Sequence, residues 1–568
     1  MSKRTGRHAL IEQFLADDMS HMFGNPGTVE QGFLDTLAEY PAMKYILTLH
    51  ETVAVMAADA YARATRRPAL VQIHSTPGLG NAIGALYQAK RGHAPLVVIG
   101  GDAGVRYLAM DAQMAGDLVA FARPVTKWAT MVAHPSSLLR VIRRAIKIAA
   151  TPPMGPVYVC LPMDVLDEPA EEDVVPTSIP SSRAAPDPAL IREAAEMLAS
   201  AETPMIFMGD GVAYSGAQDE LARVAELLGA EVWGVDSGEL NMSYTHPLYQ
   251  GQTGHMFGAQ SLPITRRGDV NLICGTYMVP EVFPELGNIF GPGARTIHFD
   301  LDGYEIAKNH PVDLGVISDP KLSLAALAGA LEETLPADGM AAAAARAERL
   351  GAARRAKREA ELEADVAAGE SHPLRFATFA AELAKHVPTD AVIYDEALTN
   401  SPALTRHLPP TRPGRFFQIR GGSLGSGLAG GIGLKAAFPD KPVIVVAGDG
   451  ASMYTIQALW SAARHNLAVK FIVCNNGSYR LLQVNISQYW RERGIPEHDF
   501  PLSFDLSEPA LRFDRMAGAM GVAATRVETA DQIAGAIEEA LAHPGPYLID
   551  VVLEGDVHPG LIGVRCGQ

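Results

Sequence analysis

Short, uninterrupted apolar segments recur along this chain and are separated by stretches with helical periodicity. Examples are ALVQIH, PLVVIGG and VIVVAGDG, in which apolar residues follow one another instead of alternating with polar ones. A strand that is apolar on both faces is typical of a parallel sheet covered by helices on both sides. The pattern therefore predicts an α/β protein built from doubly wound parallel sheets.

The apolar segments form three groups, which predicts three such domains. The predicted strands are YILTL, ALVQIH, PLVVIGG and PVYVCLP in the first group, PMIFMG, AEVWGV, VNLICG and TIHFDLD in the second, and AVIYDEA, VIVVAGDG, VKFIVCNN and YLIDVVL in the third. The 568 residues are enough for three or four domains of roughly 100–200 residues each. The stretch 171–188 is rich in Pro, Ser and acidic residues and is typical of a linker. The stretch 340–368 is rich in Ala and charged residues and predicts a connecting helix with solvated charges. We expect domains at 1–175, 189–335 and 370–555, followed by an irregular C-terminal tail, 556–568.

Charge and hydropathy exclude several classes of partner. A net charge of −17 argues against nucleic acid or an anionic membrane. No apolar run approaches the ~20 residues needed to span a bilayer, and the basic N-terminus lacks the apolar region of a signal peptide. Cys160, Cys274, Cys474 and Cys566 show no metal-ligand spacing, and the first three are interpreted as small core residues. We therefore expect a cytoplasmic protein that binds neither nucleic acid nor membrane.

Two polar turns follow neighbouring apolar segments of the third group. VIVVAGDG contains Asp449 between two glycines, and VKFIVCNN ends at Asn476. The carboxyl ends of parallel strands meet at one sheet edge, so these two side chains should converge. A carboxylate with an amide oxygen suits a hard cation such as Mg²⁺ or Ca²⁺. Four small residues would let a phosphate approach the backbone N–H groups where the next helix begins: Gly448, Gly450, Ala451 and Ser452.

The spacing of these two turns resembles the diphosphate- and metal-binding motif of the thiamine diphosphate-dependent enzymes. The resemblance implies that Asp449, the side chain of Asn476 and the backbone carbonyl of Ser478 hold Mg²⁺, which binds the cofactor diphosphate. It also implies a pyrimidine-binding, a central and a diphosphate-binding domain, in that order. The tripeptide 209–211 is another GDG, but no Asn-Asn follows it at the required distance.

The resemblance implies further cofactor contacts in the third domain. The glycine-rich stretch 419–433 would admit the cofactor, with Leu424 as the apolar residue that bends it into its V shape. The other residues implied to contact the cofactor here are Thr399, Asn400, Gly422 and Tyr479.

In the first domain, Glu51 follows an apolar segment and opens a predicted helix. In the family, a glutamate so placed contacts the aminopyrimidine and promotes loss of the thiazolium C2 proton. Two segments resemble the benzoylformate decarboxylases: HMFGNPGT (21–28), interpreted as the pyrimidine-side loop, and VQIHSTPGLGNAIGAL (71–86). The first would place Asn25, Pro26 and Gly27 near the cofactor, and the resemblance implies catalytic roles for Thr28 and His74. Histidine is a general acid or base near neutral pH, whereas His21 and His50 are interpreted as structural.

The implied reaction is decarboxylation of a benzoylformate-like 2-oxo acid to an aldehyde, with carboligation as an associated activity. The second active-site histidine of the benzoylformate decarboxylases has no counterpart in 273–287, where Tyr277 and Glu281 are the nearby polar residues. Five residues after Asn476 predict a bulkier and more polar substrate wall: Arg480, Asn485, Tyr489, Trp490 and Glu492. Leu481 is expected in the same substrate pocket.

The predicted substrate wall is compatible with other activities as well. One is a 2-hydroxyacyl-CoA lyase, related to the oxalyl-CoA decarboxylases, that releases formyl-CoA with a ketone or aldehyde. An acetolactate synthase-like activity and a non-catalytic cofactor-binding paralogue are the others. No glycine fingerprint requires FAD. In the family the cofactor lies between the first domain of one subunit and the third domain of its partner, so the resemblance implies a homodimer or homotetramer.

Overall fold

A computed structural model of the chain describes residues 4–369 and 371–555. It contains three six-stranded sheets, and all strand pairings in them are parallel. Helices cover both faces of each sheet. The predicted architecture of three doubly wound α/β units is confirmed, while the expected tail at 556–568, with Cys566, lies outside the described residues.

The first sheet has the strand order β2-β1-β3-β4-β6-β5. Its strands are β1 (His21–Gly24), β2 (Lys44–Leu47), β3 (Ala69–Ile73), β4 (Leu96–Asp102), β5 (Trp128–Met131) and β6 (Val157–Pro162). Its helices are α1 (Gly6–Ala16), α2 (Gln31–Leu37), α3 (Glu51–Thr65), α4 (Ser75–Arg91), α5 (Leu118–Ala122), α6 (Leu138–Ala150) and α7 (Met163–Asp167). The segment 21–28, interpreted as a loop, thus begins as a strand, because its apolar start pairs with β2 and β3.

The central sheet has the order β12-β11-β10-β7-β8-β9. Its strands are β7 (Pro204–Met208), β8 (Glu231–Val235), β9 (Tyr249–Thr253), β10 (Val270–Cys274), β11 (Arg295–Asp300) and β12 (Leu314–Ile317). Its helices are α8 (Pro188–Ala199), α9 (Asp210–Ser215), α10 (Gln218–Leu228), α11 (Gly258–Thr265) and α12 (Pro320–Thr334).

Two connections join the three units. Residues 171–187 have no regular secondary structure, as expected for the linker. The second connection is the 31-residue helix α13 (Ala337–Ala367), in which only Ala343 and Gly351 are buried. The predicted helix with a solvated, charged surface is therefore confirmed.

The third sheet has the order β14-β13-β15-β16-β18-β17. Its strands are β13 (Val392–Glu396), β14 (Phe416–Gln418), β15 (Val443–Gly448), β16 (Val469–Asn475), β17 (Ala523–Val527) and β18 (Tyr547–Val552). Its helices are α14 (Phe376–His386), α15 (Ser401–His407), α16 (Ser426–Ala437), α17 (Asp449–Tyr454), α18 (Ala458–Arg464), α19 (Arg480–Arg493), α20 (Phe513–Ala519) and α21 (Ile533–Ala542). Short 3₁₀ turns occur at Val105–Met110, Arg123–Val125, Pro135–Ser137, Leu398–Asn400, Leu502–Phe504 and Ala530–Gln532.

The first and third sheets have the same strand order, 2-1-3-4-6-5, when the strands of each are numbered along the chain. Helices α3 and α16 each follow the second strand, and they pack directly against each other. Gly433 of α16 approaches α3 so closely that a Cβ would lie 1.9 Å from the carbonyl oxygen of Ala57. Buried residues of both helices belong to one hydrophobic cluster. The first and third domains therefore share a core.

Two sequence-based expectations concern the chain as a whole. Cys160, Cys274 and Cys474 are buried free thiols, as expected for small core residues. Within 4–369 and 371–555, no helix combines the length and the apolar character needed to cross a bilayer.

Candidate active site

Asp449 lies at the first position of α17, directly after β15, and the residue is 4% exposed. One oxygen, Oδ2, accepts hydrogen bonds from the backbone N–H groups of Asn476 (3.0 Å) and Gly477 (2.7 Å). The other oxygen accepts from the backbone N–H of Gly450 (2.7 Å). Strands β15 and β16 are hydrogen-bonded neighbours, so both polar turns lie at one edge. The structure thus brings Asp449 and Asn476 together.

The electrostatics of this edge suit a bound cation. Burial raises the pKa of Asp449 to about 6, although backbone N–H groups oppose the shift. The groups that oppose the shift are backbone N–H dipoles, which carry no net charge. A bound cation would therefore balance the negative charge of the carboxylate. The side-chain oxygen of Asn476 lies beside Ser478, accepting from its N–H (3.0 Å) and its hydroxyl (3.3 Å). One carboxylate with amide oxygens fits Mg²⁺ that also keeps water and phosphate ligands.

No other donor set competes in the part of the chain that the structure describes: it holds no metal-binding cluster of three or more His, Cys, Asp or Glu residues. The backbone at this edge also fits a phosphate. A Cβ at Gly448 would meet nothing within 4 Å, so open space lies directly against the main chain there. At Gly450 a Cβ would lie 2.4 Å from the ring of Tyr479, which packs on the turn.

The edge opens into a cavity of about 500 Å³, within the range of roughly 300–1,000 Å³ found for small-molecule sites. Most of the predicted third-domain residues line it: Thr399, Asn400, Gly422, Leu424, Gly448, Asp449, Gly450, Ala451, Asn476, Ser478, Tyr479, Arg480 and Leu481. Five predicted residues do not. Ser452 is fully buried and its hydroxyl donates to the carbonyl of Gly448 (2.7 Å). Asn485, Tyr489 and Trp490 lie further along α19, and Glu492 is exposed and accepts from Gln488 (2.7 Å).

The glycine-rich segment is held in place by Glu396, a residue that the sequence did not single out. Glu396 ends β13 and is fully buried. Its carboxylate accepts from the backbone N–H groups of Gly425 (2.8 Å), Ser426 (3.1 Å) and Gly427 (2.6 Å) at the start of α16. Burial raises its pKa to about 7, against the effect of these donors. Because Leu424 directly precedes this turn, Glu396 fixes where Leu424 enters the cavity.

In the first domain, Glu51 begins α3 and is 4% exposed. The side-chain amide of Asn25 donates to its Oε1 (3.0 Å), and that of Asn81 donates to its Oε2 (3.0 Å). Gly78 lies against the carboxylate, since a Cβ there would be 3.0 Å from Oε1. Two neutral donors and a close-packed glycine therefore orient the carboxylate. Asn81 was not predicted, although it lies within the predicted 71–86 segment.

His74 precedes α4 and lies next to the loop that contains Gly27. A Cβ at Gly27 would be 2.0 Å from the His74 ring. The ring nitrogen Nδ1 is 3.0 Å from Oε2 of Glu30, whose Oε1 accepts from the backbone N–H of Gly101 (3.0 Å). Burial raises the pKa of Glu30, and His74 opposes the shift. Glu30 was not predicted, although it lies two residues beyond the predicted loop.

The remaining predicted first-domain residues are less enclosed. Pro26 and Thr28 are exposed in the turn after β1. His50 accepts a hydrogen bond from the backbone N–H of Thr52 (3.2 Å) and caps α3. His21 lies near the hydroxyls of Ser20 and Tyr61, and burial, with Lys44, lowers its pKa to about 4. His21 and His50 therefore have the structural roles expected of them.

The two groups of predicted residues do not meet within one chain. Among the described residues, none from the first domain lines the 500 Å³ cavity. Tyr277 and Glu281 of the central domain do not line it either. Arg91 donates to the hydroxyl of Tyr277, and the hydroxyl of Ser261 donates to Glu281 (2.5 Å). Within the described residues of one chain, the predicted residues of the first domain and those of the third domain thus lie in two separate places.

The other GDG tripeptide, at 209–211, has a structural role. Asp210 accepts from the backbone N–H of Gly238 (3.0 Å) and is 3.3 Å from the guanidinium of Arg420. It joins the central domain to the third domain.

Three family models describe this chain in succession. The N-terminal TPP binding domain of the thiamine pyrophosphate enzymes matches residues 4–121, the central domain 191–327 and the C-terminal TPP binding domain 399–551. The central match contains the whole second sheet, whereas the N-terminal match contains β1 to β4 and the C-terminal match contains β14 to β17 and most of β18.

Individual relatives cover almost the whole chain. Benzoylformate decarboxylase of Pseudomonas aeruginosa is 30% identical, over 96% of this chain and 98% of the relative. The acetolactate synthase large subunit of Parasynechococcus marenigrum is 28% identical, over 96% of this chain and 87% of the relative.

A solved structure shows the same fold. The thiamine diphosphate-dependent 4-hydroxybenzoylformate decarboxylase of Rhodococcus jostii superimposes with a TM-score of 0.84 at 27% identity, covering 98% of this chain and 100% of that one. Together with the three domain matches, these similarities show that the chain belongs to the thiamine diphosphate-dependent enzymes, which bind this cofactor with Mg²⁺ as the usual partner metal.

Proposed function

We propose that the protein decarboxylates a 2-oxo acid to an aldehyde and CO₂. The observation that carries this proposal is the pairing of His74 with the buried carboxylate of Glu30 beside Gly27. Thiamine diphosphate supplies the electron sink that carbon–carbon cleavage next to a carbonyl requires. The chain must then provide groups that bind the cofactor, orient the substrate and move protons.

Glu51 and His74 are the proposed proton-moving groups. Asn25 and Asn81 fix the carboxylate of Glu51 by one hydrogen bond to each oxygen, so its orientation is set before the cofactor binds. Oε2 of Glu30 lies 3.0 Å from Nδ1 of His74, a contact that fixes the orientation of the ring. Nε2 is then the atom at which His74 gives or takes a proton. A positioned histidine of this kind contributes about 10²–10⁴-fold to a rate.

The third domain is the proposed binding half of the site. Asp449 and the side chain of Asn476, with the carbonyl of Ser478, would hold Mg²⁺, and the open backbone at Gly448 would receive the diphosphate. Leu424 lines the same cavity and would support the cofactor between its two rings.

We further propose that two copies of the chain complete each site. The residues proposed to move protons lie in the first domain, while the cofactor cavity lies in the third and contains none of them. The first domain of a second copy would bring Glu51 and His74 to that cavity. A homodimer is the smallest assembly that contains two such sites, and a homotetramer is a pair of them.

A carboligase activity of the acetolactate synthase type is the second candidate. Its support is the 28% identity to an acetolactate synthase large subunit over nearly the whole chain. The acyl-CoA lyase remains a prediction from the polar residues after Asn476. A non-catalytic paralogue accords less well with the chain, since Glu51, Asp449 and Asn476 are all present.

The test is a three-part assay of the purified protein with thiamine diphosphate and Mg²⁺. One part supplies benzoylformate and other 2-oxo acids and measures CO₂ and aldehyde. The second supplies pyruvate and measures acetolactate, and the third supplies 2-hydroxyacyl-CoAs and measures formyl-CoA. Aldehyde with stoichiometric CO₂ is expected. Acetolactate as the dominant product, or formyl-CoA, would replace the proposal by the corresponding alternative.

A further inference from the structure

The turn that leads to Glu51 is short and held by buried hydrogen bonds. It runs from Leu47, the last residue of β2, to Glu51, the first residue of α3. Thr48 is fully buried, and both its backbone N–H (3.1 Å) and its hydroxyl (3.1 Å) donate to the carbonyl of Gly24. Gly24 directly precedes Asn25, which donates to the carboxylate of Glu51. The inner side of the turn is therefore tied to the segment that orients Glu51.

Leu49, in the middle of the turn, needs support from its neighbours to keep its conformation. Its backbone is left-handed, with a φ of 60°, which is unfavourable for a residue with a Cβ. Such a conformation persists only where the surrounding structure holds it. Leu49 is itself 44% exposed, so the packing of its side chain contributes little. The hydrogen bonds of the neighbouring residues therefore keep the turn in place.

One of these hydrogen bonds comes from the third domain. β2 is the edge strand of the first sheet and pairs with β1. The N–H of Thr48 points to β1, whereas that of Leu47 points away from the sheet and donates to Nε2 of His465 (2.9 Å). His465 directly follows α18, and its own backbone N–H donates to the carbonyl of Ser461 (3.1 Å). The third domain thus holds the outer side of the turn that leads to Glu51.

We propose that His465 is a positioning residue for Glu51 and that it acts only while its imidazole is neutral. This inference rests on the proposed function, since it concerns the regulation of the same site. A backbone N–H can only donate, so Nε2 must be the unprotonated nitrogen and the ring proton lies on Nδ1. Protonation of Nε2 would place two donors against each other and break the contact. Acidification would then release the Leu47 end of the turn and lower the turnover.

The surroundings of His465 keep the ring neutral near pH 7. Burial lowers its pKa below the ordinary 6.5, and the charge of Arg464 acts in the same direction. Among the described residues, Arg464 is the one charged group that shifts it; Lys44 of β2 and Lys435 of α16 do not. The contact with Leu47 is therefore present at neutral pH and is lost as the pH falls through the lowered pKa.

The first measurement is hydrogen–deuterium exchange of the holoenzyme, which needs no turnover. At about pH 7 the amide of Leu47 should be protected in the wild type. His465→Leu lacks the acceptor and should raise the exchange rate of this amide by about 3- to 10-fold, the effect of losing one hydrogen bond. His465→Gln should keep the protection, because its amide oxygen can accept in place of Nε2 and is not protonated on acidification.

His543→Leu is the matched control. Nδ1 of His543 also accepts from a backbone N–H, that of Gly545 (3.1 Å), but this contact lies within the third domain. The control should change neither the exchange of the Leu47 amide nor kcat.

The second measurement is the pH dependence of kcat. Near pH 7, His465→Leu should lower kcat by about 3- to 10-fold, with little change in KM or in the affinity for thiamine diphosphate. His465→Gln should keep most of kcat, and its decline on the acidic side should begin at a lower pH than in the wild type. Unchanged exchange of the Leu47 amide or unchanged kcat in His465→Leu would overturn the inference. A loss that His465→Gln does not restore, or acidic declines that coincide, would overturn it as well.

The two proposals fail in different ways. Absence of turnover with every substrate contradicts the proposed function, and amide exchange then decides whether His465 holds the turn. Turnover that is insensitive to His465→Leu leaves the proposed function in place and rejects the role of His465.

Discussion

The first and third domains have the same strand order and pack through equivalent helices, yet their carboxyl-terminal edges differ in chemistry. Glu51 and Asp449 each begin a helix that follows a parallel strand, and each is 4% exposed. Glu51 is held by side-chain amides, whereas Asp449 is held by backbone N–H groups. The topology fixes where each side chain is presented, and the different neighbours accord with the different roles that we propose, proton transfer for Glu51 and cation binding for Asp449.

The largest expected effect comes from removing the charge of the first-domain carboxylate. Glu51→Gln should lower kcat by about 10²–10⁴-fold, the range for loss of a positioned proton-transfer group. Cofactor affinity should change little, because Glu51 lies outside the diphosphate cavity. Steady-state kinetics with calorimetry of thiamine diphosphate binding will check this. Near-normal turnover would exclude Glu51 from the reaction.

The corresponding change in the third domain should affect binding. Asp449→Asn keeps the shape but removes the negative charge, so Mg²⁺-dependent cofactor affinity should fall by about 10- to 100-fold or more. Calorimetric titration of the apoprotein with thiamine diphosphate, with and without Mg²⁺, measures this loss. Unchanged affinity would show that the metal binds elsewhere. The proposed difference in role between Glu51 and Asp449 would then be wrong.

A smaller effect is expected from the partner of the proposed catalytic histidine. Glu30→Gln removes the carboxylate that orients the His74 ring, so kcat should fall by about 10-fold. In His74→Ala the further substitution Glu30→Gln should have almost no effect on kcat. Additive losses in the double variant would mean that Glu30 acts independently of His74.

The smallest effect concerns stability and the turn before α16. Burial raises the pKa of Glu396 from the ordinary 4.5 to about 7, so the folded state binds this proton more tightly than the unfolded state. This contribution to the free energy of unfolding is fully present below pH 4.5 and is lost as the pH rises to 7, by about 1–3 kcal/mol. Between pH 5 and pH 8 the free energy of unfolding, measured with urea, should fall less in Glu396→Gln than in the wild type. An equal fall in the two proteins would contradict a raised pKa of Glu396.

Most of the fold could be predicted because central strands of parallel sheets are continuously apolar. The strands not identified are, with one exception, at sheet edges: β5, β9, β12, β14 and β17. An edge strand has one strand neighbour and more contact with solvent, as the alternating burial of Leu314–Ile317 in β12 shows. The exception, β1, is only four residues long, too short for a periodic pattern.

The site was predictable where consecutive strands of a parallel sheet end at the same edge. The convergence of Asp449 and Asn476 follows from strand order alone. Glu30, Asn81 and Glu396 were missed because their roles depend on side-chain contacts formed only in the fold. Glu492 was expected in the substrate wall but lies on the exposed side of α19, because the direction of a helical side chain depends on how the helix packs.

The most direct test of the account is complementation between two inactive variants. Glu51→Gln and Asp449→Asn would be co-expressed with different affinity tags, and the mixed dimer isolated and assayed. If each site uses the first domain of one copy and the third domain of the other, half of the sites in a mixed dimer carry both changes and half carry neither. The account predicts recovery of about half of the wild-type activity per dimer. Activity no higher than that of the separate variants would show that each site lies within a single chain.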